Sequence, residues 1–134
     1  MAFHYRVSLQ IRHPSADPSD IIQGLGRKPS RHWAAGDARK TPTGTALSGT
    51  YPETYCAFPL GGGEDGELAL CLSEAVAELT EATAFFHDLR ETGGSITFYV
   101  TWGAGDRGEV FGVDLLSRIA NLGVDLGIEP LSAE

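Results

Sequence analysis

Residues 25–40 read LGRKPSRHWAAGDARK, and the arrangement of the whole chain follows from how this stretch is read. Leu25-Gly26 ends a helix, because a glycine just past the last periodic apolar residue readily takes the left-handed conformation that stops one. Pro29 opens an extended segment, with Arg31 and Trp33 on one face and His32 and Ala34 on the other. Gly36-Asp37 then turns the chain. Five of the ten basic residues stand here, beside one of the two tryptophans. The stretch is a helix end, a strand and the start of a long-looped hairpin over about 30–60.

Upstream, Tyr5, Val7, Leu9 and Ile11 alternate with Arg6, Ser8, Gln10 and Arg12. A period of two predicts a half-buried strand over 5–12, stopped by His13-Pro14. Asp17 is placed to cap a helix, Pro18 suits its first position, and Ile21, Ile22 and Leu25 face inward. Downstream, 41–50 (TPTGTALSGT) is polar and rich in Thr and Gly, which predicts a mobile loop. A second hairpin strand follows over 51–60, with Cys56, Phe58 and Leu60 on one face and Tyr55 and Ala57 on the other. Residues 61–66 are then an acidic linker.

Leu72, Val76, Leu79, Ala82, Phe86 and Leu89 recur at three- and four-residue spacing, the stripe of an amphipathic helix over 70–91. Thr80 and Thr83 mark a place for a kink or break. After Gly93-Gly94, Ile96, Phe98, Val100 and Trp102 alternate as a strand. Residues 103–108 turn the chain, and 109–113 is left open as a short strand. Asp114 then caps a helix through Leu122, and a last strand covers 124–128.

The order is β-α-β-β-α-β-(β)-α-β. It predicts an α+β fold: a ferredoxin-like, mostly antiparallel sheet (β-α-β-β-α-β) extended by a C-terminal (β)-α-β tail, helices on one face. A chain of 134 residues fits one domain, 1–134, with a core that needs no staples.

The net charge of −8 is uneven: residues 1–40 hold seven Lys/Arg against three acids, residues 41–134 three against fifteen. An acidic chain repels nucleic acid and anionic membrane, so neither is an expected partner. No apolar run approaches the ~18 residues of a membrane span, and the alternating N-terminus is unlike a signal peptide. The expectation is a cytoplasmic protein whose Cys56 and Cys71 are reduced thiols. The four histidines lack metal-ligand spacing, and no cofactor, metal or catalytic set is expected. His13 beside Asp17 reads as turn and cap chemistry. Two G-x-G-x-x-G matches occur, Gly61/Gly63/Gly66 and Gly103/Gly105/Gly108. Glu64, Asp65 and Glu67 around the first repel phosphate, and the second leads into extended chain, so neither reads as a nucleotide loop.

Two surfaces remain. Arg6, Gln10 and Arg12 should lie beside Thr97, Tyr99 and Thr101 on the open side of the sheet. Basic and aromatic groups on an open sheet can hold single-stranded RNA. No RNP-like motif accompanies them, and the plainer reading is a solvated or dimer-forming face. The second surface is Arg31, Trp33, Asp37 and Arg39, where a Trp flanked by arginines can anchor a partner or a ligand. Its plainer reading is a Trp that caps the core edge while Asp37 bonds turn amides.

The strand at 5–12, Asp17-Pro18-Ser19-Asp20-Ile21, Leu25-Gly26-Arg27-Lys28-Pro29, Trp33, Gly36-Asp37 and the LGVDLGIE segment at 122–129 together resemble the bacterial domain-of-unknown-function family 4279 (DUF4279). The resemblance spans nearly the whole chain. It implies a small stand-alone bacterial domain and brings no activity, cofactor or catalytic residue. The expected function is a non-catalytic binding or protein-interaction module, its partner another protein or a second copy in a homodimer. The alternative is a small-anion binder or enzyme using Arg31, Asp37 and Arg39 around a pocket near the 31–50 hairpin.

Overall fold

In chain order the elements are β1 (Tyr5–His13), α1 (Pro18–Leu25), β2 (Arg31–Trp33), β3 (Ala38–Lys40), β4 (Ala46–Thr50), β5 (Thr54–Gly63), α2 (Leu68–Leu79), a 3-10 turn (Thr80–Ala82), α3 (Thr83–Glu91), β6 (Ser95–Trp102), α4 (Val113–Leu122) and β7 (Asp125–Pro130). The computed structural model describes residues 4–64, 66–103 and 107–131. The fold is α+β, with a mixed five-stranded sheet of order β2-β5-β1-β6-β7. β1 pairs antiparallel with β5 and β6, β2 antiparallel with β5, and β7 parallel with β6.

The alternation along β1 sets the core. Tyr5, Val7, Leu9 and Ile11 are buried together with Cys56, Phe58, Ile96, Phe98 and Val100 from the flanking strands. Ile21 of α1, Leu72 and Val76 of α2, Phe86 of α3 and Ile119 of α4 close over that same face. The opposite face carries Arg6, Ser8, Gln10 and Arg12, exposed or half-buried. β1 and β6 are neighbours as expected, with Arg6 opposite Thr101, Ser8 opposite Tyr99 and Gln10 opposite Thr97. The expectation of a wetted face fails at β5, where Tyr55 and Ala57 are buried as well.

Several boundaries differ from expectation. The 41–50 stretch is a loop only over 41–45: Ala46–Thr50 is β4, which pairs with β3 as a separate two-stranded ribbon with every strand residue exposed. Threonines make its turn, since Thr41 N–H donates to the Thr45 carbonyl (2.8 Å) and Thr45 N–H to Thr41 Oγ1 (3.0 Å). With both sides in water, the ribbon lacks the alternation by which a strand is recognised.

β5 runs on to Gly63, absorbing half of the expected linker; Asp65 and Gly105 lie outside the described residues. The register shifts at Leu60, with Ser8 opposite Pro59 and Val7 opposite Gly61, a bulge that bends the strand. A Cβ on Gly62 would stand 2.7 Å from the Tyr5 carbonyl oxygen, and one on Gly63 would meet the Tyr5 hydroxyl. Of the first G-x-G-x-x-G match, Gly63 therefore serves close strand packing, while Gly61 and Gly66 serve backbone with positive φ, 136° and 87°.

The long helix breaks where Thr80 and Thr83 foretell it. Thr80 Oγ1 donates to the Val76 carbonyl (2.7 Å) and Thr83 Oγ1 to the Thr80 carbonyl (2.6 Å). Residues 109–113 form no separate strand. They bring Glu109 to the start of α2, where its carboxylate accepts the N–H groups of Leu68 (3.4 Å) and Ala69 (3.1 Å). α4 is capped at Gly112 rather than Asp114, which lies in its first turn.

Candidate functional site

Arg31 and Trp33 stand two apart on β2, so both point to the open side of the sheet. In register, Trp33 lies opposite Tyr55 on β5, and Tyr55 opposite Arg12 on β1. The result is a ladder across three strands. The Arg31 guanidinium sits 4.7 Å from the Trp33 ring centroid, Trp33 stacks on Tyr55 at 4.7 Å, and the Arg12 guanidinium sits 4.6 Å from the Tyr55 ring. Cation–aromatic contacts of this kind are worth ~0.5–1 kcal/mol each where water reaches them. Burial raises the Tyr55 pKa above its ordinary value, and the two guanidiniums pull it the other way.

Glu53 ties the ladder together. Its carbonyl accepts the Trp33 indole N–H at 3.0 Å, and its carboxylate lies 3.7 Å from Arg12. Trp33 is thus both a fixed part of the sheet edge and half exposed. Tyr51 stacks on it at 4.0 Å with the rings 11° apart. The Tyr51 hydroxyl donates to the Lys40 carbonyl (2.9 Å) and accepts the Lys40 N–H (3.2 Å), holding the ribbon to the tryptophan.

The other two residues of the predicted Trp-centred set are occupied locally. Asp37 Oδ2 accepts the Ala34 N–H at 3.0 Å, the turn role expected of it. Arg39 donates to the Ser48 carbonyl across the ribbon at 3.2 Å. Both still border a concavity of about 560 Å³ with Asp17, Trp33, Lys40 and Tyr51. On the open sheet face, Arg6 and Tyr99 border a second concavity of about 500 Å³ over the β5 bulge, and Tyr99 donates to Glu129. That hydrogen bond, first, and burial, second, raise the Tyr99 pKa. The predicted residues therefore fall into a ladder (Arg12, Arg31, Trp33), a groove (Arg6, Tyr99) and a turn-and-ribbon pair (Asp37, Arg39). Tyr51, Glu53 and Tyr55 complete the ladder. Tyr55 could be found from its two-residue spacing on the hairpin strand; Tyr51 and Glu53 join through backbone and hydroxyl contacts that leave no periodic signal.

The remaining chemistry-bearing groups are quiet. His13 is buried, and its Nδ1 accepts the N–H groups of Ser15 (3.0 Å) and Ala16 (2.9 Å). Its hydrogen is therefore on Nε2, donated to Thr92 Oγ1 at 2.7 Å. Burial pushes the Cys56 thiol up to about 11 and also raises Cys71, so neither is an activated thiolate. Both cysteines are free. Among the described residues no group of three or more His, Cys, Asp or Glu could hold a metal ion, and no helix is long and apolar enough to cross a membrane.

No protein-family model, curated protein or solved structure matches the chain.

Proposed function

We propose that the protein is a non-catalytic binding module whose docking point is the Arg31–Trp33–Tyr55–Arg12 ladder. One observation carries this reading: four large side chains from three strands are held in one cation–aromatic stack on a sheet face that, among the described residues, no helix covers. Tryptophan and arginine contribute disproportionately at interfaces, because they bury much area and pair with acidic and planar groups. The helix layer is acidic, with Glu74, Glu78, Glu81, Asp88 and Glu91 along α2, the 3-10 turn and α3. The ladder's natural complement is an acidic protein surface, on another protein or on a second copy of this chain. The proposal includes a ferredoxin-like arrangement of the first six sheet and helix elements, with the ribbon inserted and α4–β7 appended. It also includes kinship with the domain-of-unknown-function family 4279. The Arg12→Ala/Arg31→Ala double variant tests the docking reading: it should lose captured partners or oligomeric mass while keeping its fold. Unchanged capture and mass would remove its support.

A second reading is favoured by the concavities beside the ribbon: a small-anion-binding pocket near residues 31–50, walled by the stacked Trp33–Tyr51 pair. A thermal-shift screen of anionic metabolites tests it, since a ligand at ~100 times its Kd adds about 2.7 kcal/mol.

A further inference from the structure

The two hollows that flank Trp33 differ in charge. The larger one includes Asp17 and Asp37 in its wall, which balance Arg39 and Lys40. The smaller one, about 250 Å³, lies between β2 and the start of the ribbon turn. Arg31, His32, Lys40 and Thr41 line it beside the Trp33 and Tyr51 rings, and no Asp or Glu does. Among the described residues neither Arg31 nor Lys40 makes an ion pair, whereas Arg12, Arg27 and Arg90 each face a carboxylate.

We infer that this hollow is a subsite for a phosphoryl group. A single guanidinium fork satisfies both oxygens of a carboxylate. A second cation across the hollow gains a partner only if the ligand carries further negative charge, as a phosphate ester or diphosphate does. An Arg fork beside a Lys point charge is a recurrent way of holding such a group. The volume is below the roughly 300–1,000 Å³ of sites for whole drug-sized ligands, so the hollow takes a headgroup and leaves the body outside. Lys40 is positioned by its backbone, since the Tyr51 hydroxyl bonds both its N–H and its carbonyl. The inference rests on the anion-pocket reading above and narrows it to Arg31 and Lys40.

The test is an NMR titration of the full chain with inorganic pyrophosphate at constant ionic strength, following the Trp33 indole and the Lys40 and Thr41 amides. Acetate is the comparison ligand. Those signals should shift together, with pyrophosphate binding at least about tenfold tighter than acetate. Arg31→Ala and Lys40→Gln should each weaken pyrophosphate by about tenfold, the effect of losing one charged hydrogen-bonding partner. Lys28→Ala, an exposed cation outside the hollow, should change affinity less than about twofold. If Arg39→Ala removes binding and Lys40→Gln does not, the anion pocket stands and this placement is wrong. If pyrophosphate moves none of these signals, both fail. A small phosphate ester binding as tightly as pyrophosphate identifies a free ligand. Binding only of a phosphoserine peptide, with pyrophosphate inert, overturns the headgroup site.

Discussion

Tyr51 lies flat on Trp33, ring centroids 4.0 Å apart, and its hydroxyl closes both backbone hydrogen-bonding groups of Lys40. One side chain thereby couples a sheet-edge tryptophan to a ribbon that otherwise stands in water. Isolated two-stranded hairpins are marginal, so the ribbon's order depends on such attachments.

Tyr51→Phe keeps the ring and removes the hydroxyl. It should cost about 1 kcal/mol, the net worth of an ordinary hydrogen bond. Amide hydrogen exchange should speed up at Lys40 and through Ala46–Thr50, with the amides of Leu9 and Phe98 unchanged. Equal protection of the ribbon in both proteins would show that the hydroxyl does not hold it.

His13 is a buried acceptor for two amides at the exit of β1. His13→Ala leaves the Ser15 and Ala16 N–H groups without that acceptor and should lower unfolding free energy by about 1–3 kcal/mol. His13→Asn, whose side-chain oxygen can accept, should recover part of the loss. The imidazole nitrogen shifts report the state directly, with hydrogen on Nε2 and none on Nδ1.

Glu109 caps α2 from 41 residues away in sequence, at Leu68. Glu109→Ala should cost about 1 kcal/mol in urea denaturation, and Glu109→Gln less, because an amide oxygen still accepts. Equal losses for both would mean that charge rather than hydrogen bonding sets the effect.

Alkaline pH should destabilise the fold. Burial holds the Cys56 thiol at about 11 against an ordinary 9.0, and Tyr5, by burial and then the neighbouring Cys71, at about 12 against 10.0. The unfolded chain therefore releases these protons first, and stability falls as pH rises from 9.0 towards 11 for the thiol and from 10.0 towards 12 for the phenol. Urea midpoints between about pH 8 and pH 10.5 should decline. Cys56→Ala, though less stable throughout, should show a shallower decline.

Much of the core was legible because it is periodic. The alternation of Tyr5–Ile11 and Ile96–Trp102 and the stripe from Leu72 to Leu89 each report a surface with one dry side. The Asp17 cap and the break at Thr80–Thr83 were legible because those side chains act on their own backbone. The ribbon was not, since a strand pair wetted on both sides carries no pattern in Ala38–Lys40 or Ala46–Thr50. Nor was the continuation of β5 through Gly61–Gly63, where Gly62 and Gly63, of a residue type that ordinarily marks turns, instead give way to Tyr5 and Arg6. Arg31 and Trp33 were found by their two-residue spacing. Their partners Arg12 and Tyr55 joined them only once strand order placed β5 between β1 and β2. Asp37 and Arg39 shared the same stretch but were drawn into the turn and the ribbon.

Hydroxyl-radical footprinting tests the docking surface most directly, because it needs no identified partner. The chain is labelled purified and dilute, purified and concentrated, and in native lysate. Trp33 should be protected in lysate, or on concentration alone if the partner is a second copy, while exposed Leu70 and Val113 on the helix layer keep their reactivity. Equal oxidation of Trp33 in all three conditions, or protection confined to Leu70 and Val113, would contradict docking through the ladder.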